Sequence, residues 1–328
     1  MPKMQLGESR CKPASWAYNQ PVFDPVIRTP YRDREMLKLP ECSMSDSLFS
    51  KMVIDHAAKH DLDERALTVR MLLHLPRVAS CSGRMRRWQV TNDLARVGEQ
   101  LRQDVQAAGE LVAHTEHALR DLSFERIPSD KAARIFTALH YLRSVRPGAM
   151  AFALLDPVHR LPVSLCAVSP LEWHRVGAQI QSQFGVPRNR IWDVSRVYAS
   201  SVAPRYAISY LLARVRNVLR RSEQSVDLLT TAVDRNLGFT GASYRAANWQ
   251  PWLSVQPRPY LYHNGWQVSP RQLRQRFGSS SLTELRASHP NERFEQSHAR
   301  LRDSLIFCWR LRGATEQVPE QERRRLRR

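Results

Sequence analysis

The sequence predicts an α/β protein with a mixed central sheet, helices on both of its faces and a helical region before it. From residue 123 onward, strand-like apolar runs alternate with amphipathic helical segments in the order β-α-β-β-α-β-α-β-α. Residues 46–122 instead carry apolar side chains at helical spacing. The chain has 328 residues, of which 42% are hydrophobic, and this is enough for one large domain or two moderate ones.

The N-terminal part divides into two regions. Residues 1–45 are rich in proline, serine and charge without any period, which predicts an extended or disordered lead. In residues 46–122, "SDSLFSKMVIDHAAKHDL" predicts one helix and residues 91–122 predict a long amphipathic helix. This region is expected to be an accessory domain or an oligomerisation arm. The apolar face of the long helix would comprise Leu94, Val97, Leu101, Val105, Leu111 and Leu119.

Residues 123–278 form the predicted core domain. Its strands are "SFERI", a hairpin that turns at Asp156-Pro157, "RIWDVSRVYAS" and "SVDLLTTAV". Its helices are "PSDKAARIFTALHYLRS", "SPLEWHRVGAQIQSQFG", "APRYAISYLLARVRNVLRRS" and the short "GASYRAANW". A short strand pair and a helix opened by Ser269-Pro270 follow. Residues 279–328 predict a late strand, "DSLIFCWRLR", and a charged basic tail.

The charge and the cysteines restrict the partners and the compartment. The formal net charge is +19, and arginine, the better phosphate and base ligand, dominates over lysine. Nucleic acid is therefore the first expected partner and an acidic membrane the second; a generic basic protein is the alternative. The five cysteines form no Cys-x-x-Cys pair, which predicts reduced thiols in a cytoplasmic protein. No signal peptide and no membrane span are predicted.

The order of elements resembles the GNAT acyltransferase fold. In that fold two central strands splay apart, acyl-CoA lies in the gap, and its pyrophosphate meets the start of the next helix. The corresponding segments here would be "IWDVSRVYA", "VDLLTTAV" and the turn "SSVAPRYAIS". The family's usual Arg/Gln-x-x-Gly-x-Gly/Ala loop is absent from this turn, and Arg205 is expected to supply positive charge instead. The cofactor, acetyl-CoA or a related acyl-CoA, is expected to contact Ser195, Arg196, Val197, Arg205, Asn236, Gly238, Gly241 and Asn248.

Three further motifs resemble the Mom family of DNA-modification proteins. They are "HYLRS.RPG", "SRVYAS..AP...IS" and "DRNLGFTGASYRAANW", and the resemblance covers residues 123–278. It implies a GNAT-like enzyme that converts adenine in double-stranded DNA to an N6-carbamoylmethyl form, which shields DNA from restriction enzymes. The positions that match the family's functional residues are His140, Asp234, Tyr244 and Ser209. Phe239 departs from the family, which often has a histidine there.

The chemistry of these residue types agrees with such a reaction. Adenine N6 is a poor nucleophile, so a base must remove a proton during attack, and His140 and Asp234 are the two candidates. The alternatives are a packed core histidine and an aspartate that caps the following turn. Tyr244 is expected to hydrogen-bond or protonate the leaving thiolate, or else to be a half-buried aromatic. Gly238 and Gly241 fit either a ligand lying against the turn or an ordinary tight turn.

The basic C-terminal part of the core domain is the predicted nucleic-acid surface. Arg271, Arg274 and Arg276 would bind phosphate, and Tyr260 and Tyr262, with Trp266, would stack on bases; a solvated arginine face is the alternative. His56 and His60 have a ligand spacing but lack a third ligand, so no metal site is predicted. Two other functions stay open: a GNAT transferase acting on a non-DNA amine, and an inactive DNA-binding protein of the same fold.

Overall fold

The computed structural model describes residues 46–79 and 86–312. The predicted lead, Cys11, Cys42, Cys81 and the basic tail lie outside these residues; Cys166 and Cys308 are buried free thiols. The helices are α1 (Asp46–Lys59), α2 (Glu64–Val78), α3 (Arg87–Ala108), α4 (Ser129–Leu139), α5 (His174–Phe184), α6 (Ala207–Ser222), α7 (Ala242–Ala246), α8 (Pro270–Phe277) and α9 (Leu282–Ser288). The strands are β1 (Ser123–Ile127), β2 (Met150–Leu155), β3 (Pro162–Pro170), β4 (Ile191–Ala199), β5 (Leu228–Val233), β6 (Gln250–Val255), β7 (Leu261–His263), β8 (Trp266–Val268), β9 (Phe294–Gln296) and β10 (Ser304–Arg310).

A seven-stranded mixed sheet forms the centre, in the order β1-β2-β3-β4-β5-β10-β6. Its one parallel pair is β4 with β5, and the other neighbours within this sheet run antiparallel. The predicted mixed α/β fold is therefore confirmed. The sequence did not predict β6, and it placed the late strand β10 outside the core domain. In the structure β10 lies between β5 and β6 of the central sheet.

Helices cover both faces of this sheet, because its inner strands are buried on both sides. In β2, Phe152 and Leu154 join the cluster beneath α5 and α6, whereas Ala151, Ala153 and Leu155 face α4. Strand β3 is buried along nearly its whole length, as expected for a strand with helices above and below it. The core of the protein therefore has two layers, one on each side of the sheet.

The N-terminal region is a unit of three helices, α1, α2 and α3. Its apolar core also includes Leu237 and Ala299 from the rest of the chain. The predicted long helix ends at Ala108 rather than near residue 122, because the chain leaves the helix at Gly109 to reach the sheet. There the Ala113 N–H donates to the Pro162 carbonyl at 3.1 Å. Val105, predicted on the apolar face, is 45% exposed.

The helical unit packs against the C-terminal part of the chain. The Tyr262 hydroxyl donates to the Leu73 carbonyl at 2.9 Å, and Arg96 donates to the Gly265 carbonyl at 2.9 Å. Strands β8, β7 and β9 form a second small sheet at this contact. The contact brings α2 beside residues 235–237, next to the end of β5. Within the described ranges, no helix has the length and apolar character needed to cross a membrane.

Candidate functional site

Strands β4 and β5 separate along their length and open a cleft. They pair in register only from Ile191–Leu228 to Asp193–Thr230. Beyond these pairs, the Thr231 hydroxyl donates to the Val194 carbonyl at 3.0 Å. On the other side of β4, the register with β3 shifts, so that Ser195 lies at a bulge without a partner residue. The gap predicted between the two central strands is thus present at their carboxyl ends.

Helix α6 begins directly beyond the carboxyl end of β4. Its N-cap, Tyr206, has a φ of 69° and no side-chain cap, so the first turn keeps N–H groups for another acceptor. Arg205 is exposed, and its guanidinium lies 4.7 Å from the centre of the Tyr206 ring. Ser209 belongs to the same turn and donates its hydroxyl to the Tyr206 carbonyl at 3.0 Å. This helix start therefore combines a positive dipole end with one arginine.

Tyr244, on α7, lies beside this cleft. The phenol oxygen lies 3.3 Å from the Thr231 hydroxyl oxygen, and the ring packs 5.7 Å from Trp249 and 5.8 Å from Phe307. Burial raises the pKa of Tyr244 to about 12, although the Thr231 hydrogen bond acts in the opposite direction. The phenol therefore remains protonated at neutral pH and is a hydrogen-bond donor.

Asp234 ends β5 and has a nearly complete set of hydrogen bonds. Its Oδ1 accepts from the Asn236 N–H at 2.9 Å and from the Asn236 Nδ2 at 2.8 Å. Its Oδ2 accepts from the Tyr260 hydroxyl at 2.5 Å. Each carboxylate oxygen has two lone pairs, so one lone pair of Oδ2 is left for a substrate proton. Burial and the adjacent Asp234 carboxylate both raise the pKa of Tyr260, so the shared proton stays on the phenol.

Asn236 has a structural role that the sequence did not indicate. Besides its bond to Asp234, the side chain donates to the Arg302 carbonyl at 3.0 Å and accepts from the Arg302 N–H at 2.7 Å. These bonds fix the turn against the segment that leads into β10. The polar side-chain atoms of Asn236, which was predicted to contact the cofactor, are thus bonded within the protein. Through these bonds Asn236 orients Asp234.

The backbone conformation of the turn between Asp234 and α7 explains why the turn contains two glycines. Gly238 and Gly241 both have a φ of 78°, and Asn248, just after α7, has a φ of 63°. A Cβ atom at Gly241 would lie 2.5 Å from Cζ of Phe307. Backbone conformation and packing against β10 therefore account for Gly241 without a ligand.

We expect Gly241→Ala to lower the free energy of unfolding by about 1–3 kcal/mol, because the Cβ adds both backbone strain and a clash with Phe307. Urea unfolding followed by circular dichroism measures this change. Gly278→Ala is the matched control, since Gly278 has a φ of 77° and no atom within 4 Å of its Cβ position. It should cost only about 1 kcal/mol. Equal losses at the two sites would contradict a role for the Phe307 contact.

His140 follows α4 and is buried with its acceptor nitrogen occupied. The Leu142 N–H donates to Nδ1 at 3.1 Å, which assigns the proton of the neutral ring to Nε2. Burial, with Arg196 and Arg70, holds the pKa of His140 well below its usual value. The ring therefore has no lone pair for a substrate proton, and the structure disfavours the general-base role predicted for His140. Instead it stacks on Tyr141, with 4.3 Å between the ring centres.

Tyr141 is the site residue that the sequence analysis missed. Burial raises the pKa of its phenol; the charge of Arg196 lowers it, and Asp234 and Tyr244 raise it further, so all three are close enough to interact. Its ring centre is 5.5 Å from that of Phe239, the residue that departs from the family pattern. The dipeptide "HY" was the available signal, but only its histidine was assigned a role.

Arg196 orders the loop after α4. It donates through Nε to the Ser144 carbonyl at 2.6 Å and through Nη2 to the Ser144 hydroxyl at 3.1 Å. Nearby, Arg146 Nη2 pairs with Asp193 Oδ2 at 3.0 Å. Val197, the next residue on β4, packs against the main core. Arg196 therefore positions the Tyr141 loop, and its Nη1 donates to the Ser195 carbonyl on β4.

The predicted nucleic-acid residues separate into two groups. Tyr262 is fully buried, so its ring is not available to stack on bases. Tyr260 donates to Asp234 and its ring is partly exposed, so base stacking by Tyr260 stays a prediction. Arg271 pairs with Glu172, whereas Arg274 and Arg276 are exposed. Arg274 donates to the Ser280 hydroxyl at 3.0 Å, and no ion pair of Arg276 occurs in the described part of the chain. Residues 46–79 and 86–312 contain no cluster of three metal-ligating His, Cys, Asp or Glu residues.

Two buried histidines predict a loss of stability on mild acidification. Burial, Arg96 and Arg77 lower the pKa of His74 to about 3, and the pKa of His140 is lowered well below 6.5. Below pH 6.5 these histidines are protonated in the unfolded chain but stay neutral in the folded protein. The free energy of unfolding is therefore highest above this pH and decreases below it. His74 should therefore cost about 1.4 kcal/mol at pH 5.5, and His140 adds a loss in the same direction.

Urea unfolding at pH 7.5 and pH 5.5 measures this loss. His74→Phe should remove about 1.4 kcal/mol of the loss at pH 5.5, because the phenylalanine takes up no proton on unfolding. If the variant and the unchanged protein lose stability equally, His74 is not the group responsible.

An α/β sheet whose parallel pair splays, with a phenol beside the gap and an uncapped helix start beyond it, defines a protein of GNAT-like fold. The chain belongs to the Mom protein family, whose model matches residues 121–315. The predicted family is therefore confirmed. The matched range starts after the N-terminal helical unit and includes β10.

Several solved structures resemble part of the chain. Arabidopsis thaliana NAA60 in complex with acetyl-CoA is 10% identical over 58% of this chain and 99% of that one, with a TM-score of 0.36. The putative acetyltransferase yncA of Salmonella typhimurium with its cofactor acetyl-CoA is 11% identical over 60% and 97%, with a TM-score of 0.34. The spermidine/spermine N-acetyltransferase SpeG of Vibrio cholerae with manganese ions is 7% identical over 59% and 94%, with a TM-score of 0.34. The comparison with curated proteins gave no match.

Proposed function

We propose that this protein transfers an acyl group from an acyl-CoA donor to N6 of adenine in double-stranded DNA. This step forms an N6-acyl adenine; a carbamoylmethyl product, in which N6 is bonded to a methylene carbon, would instead need a donor that carries a leaving group on that carbon. One observation carries the proposal: the β4–β5 cleft of a Mom family chain has a protonated phenol, Tyr244, beside it and a carboxylate with one open lone pair, Asp234, at the end of β5. The phenol can donate a hydrogen bond to a leaving sulfur, and the carboxylate can accept the proton that an attacking nitrogen must lose.

The donor would lie between the splayed strands. The uncapped start of α6 and the exposed Arg205 suit its pyrophosphate, because free N–H groups and a positive charge both attract phosphate. Bound acyl-CoA supplies a thioester whose carbonyl carbon accepts the attacking nitrogen. Burial keeps the pKa of Tyr244 at about 12, above the thiol value of about 8.5. Tyr244 therefore stabilises the departing sulfur by a hydrogen bond and keeps most of its own proton.

Asp234 would accept the proton of adenine N6. The N6 lone pair forms the new bond to the carbonyl carbon, the carbon–sulfur bond breaks, and Oδ2 of Asp234 takes the proton. Asn236 and Tyr260 fix the carboxylate for this step through their three hydrogen bonds. A carboxylate whose other lone pairs are filled presents one orientation to its substrate, which is the arrangement that general-base catalysis needs.

A transferase acting on a non-DNA amine is the second candidate. The observation that favours it is the loss of two predicted DNA contacts, since Tyr262 is fully buried and Arg271 is paired with Glu172. The net charge of +19 and the exposed Arg274 and Arg276 favour DNA.

Mass spectrometry of nucleosides tests the proposal. DNA from bacteria that express the full chain is digested to nucleosides and compared with DNA from cells that express Asp234→Asn. A shifted deoxyadenosine peak with the unchanged protein, lost in the variant, is expected, and its mass distinguishes an acetyl from a carbamoylmethyl group. Unmodified DNA in the presence of folded protein would overturn the DNA proposal.

A further inference from the structure

A cavity of about 320 Å³ lies where the N-terminal helical unit meets the rest of the chain. Its volume falls at the lower end of the range of ligand pockets, which begins at about 300 Å³. We call it the inter-region cavity. Helices α2 and α3 form one wall, and the loop after α4 and the segment from β7 to α8 form the others. One wall therefore comes from helices that lie outside the range of the family model.

The lining of the inter-region cavity is positively charged. No aspartate or glutamate is among the described residues that line it, whereas three arginines are: Arg70, Arg143 and Arg276. Arg70 and Arg143 share one counter-ion, Asp104, which does not line the cavity. One carboxylate between two arginines leaves a positive charge without a counter-ion, and Arg276 adds another.

A second cluster of the same kind lies behind the wall that Trp266 forms. Arg77 and Arg96 both pair with Oδ1 of Asp93 through Nη2, at 3.0 and 3.1 Å. The Arg96 guanidinium lies 4.2 Å from the centre of the Trp266 ring, and Trp266 lines the cavity. Here again two arginines share one carboxylate. Charges that are withdrawn from water need a counter-ion, so the excess favours an anion in the cavity.

The ionisation of His74, in the same wall, responds to this excess. Burial lowers the pKa of the ring to about 3, and the charges of three arginines act in the same direction: Arg96, Arg77 and Arg70. The hydrogen bond to the Gly265 backbone acts in the opposite direction and is outweighed. The wall therefore has a positive potential, although His74 itself stays neutral.

Two side chains of the lining have donors available to a ligand. Arg276 is exposed and has neither an ion pair nor a side-chain hydrogen bond within residues 46–79 and 86–312. The Gln267 amide is partly exposed and makes no side-chain hydrogen bond in the same ranges. Both terminal nitrogens of Arg143 already donate to Asp104. Arg143 therefore contributes charge, and Arg276 and Gln267 contribute hydrogen bonds.

We propose that the inter-region cavity binds a phosphate group, which accepts hydrogen bonds from the Arg276 guanidinium and the Gln267 amide. Phosphate suits this site because its several acceptor oxygens and its negative charge match a planar guanidinium in a positive cavity. Two sources carry this chemistry: a phosphodiester of a DNA strand and a free phosphate-bearing small molecule. The inference goes beyond the proposed function and does not depend on its reaction, since neither Asp234 nor Tyr244 lines the cavity.

Calorimetry on the full chain at constant ionic strength, with inorganic phosphate as the probe, tests this site. Arg276→Ala should weaken phosphate binding about tenfold, because one charge-assisted hydrogen bond is lost. Arg274→Ala is the matched control, since Arg274 is exposed on the same helix but does not line the cavity. It should leave the affinity for phosphate unchanged.

A pair of charge variants tests the position of the site independently of Arg276. Gln267→Glu places a carboxylate in the lining and should weaken phosphate binding at least about tenfold, because like charges repel at close range. Gln275→Glu adds the same charge on α8 outside the lining and should have little effect. Phosphate bound at the start of α6 would respond to neither variant. The replaced side chains are partly or fully exposed, so the midpoints of thermal unfolding should stay unchanged.

Fluorescence anisotropy of a short labelled DNA duplex distinguishes the two sources. If a phosphodiester enters the cavity, Arg276→Ala should reduce the slope of log K against log salt by about one. If the ligand is a free small molecule, Arg276→Ala should weaken inorganic phosphate and leave the duplex affinity unchanged. Three results would overturn the proposal: no binding of inorganic phosphate, equal affinities of Arg276→Ala and Arg274→Ala, or equal losses from Gln267→Glu and Gln275→Glu.

Discussion

Replacement of Asp104 by alanine is expected to lower the free energy of unfolding by about 3–5 kcal/mol. Asp104 is buried on α3 and accepts from Arg70 and from both terminal nitrogens of Arg143, the latter at 2.6 and 3.0 Å. Gln100 Nε2 also donates to it at 3.0 Å. Without the carboxylate, two arginines would face each other, one of them in a buried position. The loss therefore exceeds the value of the hydrogen bonds alone.

Equilibrium unfolding in urea measures this effect. Glu99→Ala is the matched control, because Glu99 lies on the same helix and pairs with Arg102 at the surface, where solvent screens the pair. This control should leave stability unchanged. A triple replacement, Arg70→Met with Asp104→Leu and Arg143→Met, should recover most of the loss, since apolar side chains need no counter-ion. If Asp104→Ala costs less than about 1 kcal/mol, the cluster is solvated in solution and does not hold the helical unit in place.

Local sequence signals were sufficient for most of the fold. In β1 to β5, apolar runs bounded by turns gave the strands, and the alternation of strands with helices gave the two-sided sheet. These signals act within about ten residues. The central position of β10 depends on contacts with β5, whose residues lie some 75 positions earlier, for example Ile306 with Ala232. A single sequence carries no local trace of such a pairing.

The candidate site was predictable only where a motif marks it. The phrase that follows β5 placed Asp234 and Tyr244 correctly on either side of one turn, near the open end of the sheet. The partners of Asp234 were not predictable, because Tyr260 is 26 residues away and the amide of Asn236 also reaches Arg302. Tyr260 and Tyr262 both suggested base stacking by residue type, yet their hydroxyls are used within the protein. Aromatic residues in a basic segment do not by themselves indicate exposed rings.

The N-terminal unit shows why its contact with the C-terminal part of the chain could not be predicted. The amphipathic pattern of its helices predicts that each helix has a buried face, but it does not identify the part of the chain that covers this face. The buried arginine and histidine of α2, Arg70 and His74, fall within the helical pattern and give no sign of a partner. Their partners are the Ala138 carbonyl in the last turn of α4 and Trp266 on β8, which the chain reaches some 70 and some 190 residues later.

Asp234→Asn is expected to reduce the rate of adenine modification by about 10²–10⁴-fold, which is the usual contribution of a general base. The amide keeps the size of the side chain, and its oxygen still accepts from the Asn236 N–H. It has no lone pair basic enough to take the N6 proton. Nucleoside mass spectrometry at early times after induction compares the rates, because late samples would saturate. Asp303→Asn is the matched control, since this carboxylate accepts from Ser254 outside the site.

Two further variants separate the base from the groups that position it. Tyr260→Phe removes the hydrogen bond to Oδ2 but leaves the carboxylate, so the rate should fall by only about tenfold. His140→Gln should act through the orientation of Tyr141, because Nδ1 of His140 is already bonded to the Leu142 N–H. A base shows itself in the size of the loss: Asp234→Asn should slow the modification far more than His140→Gln does. If His140→Gln abolishes the modification and Asp234→Asn leaves its rate unchanged, the proton goes to the imidazole and the assignment of the two residues must be exchanged.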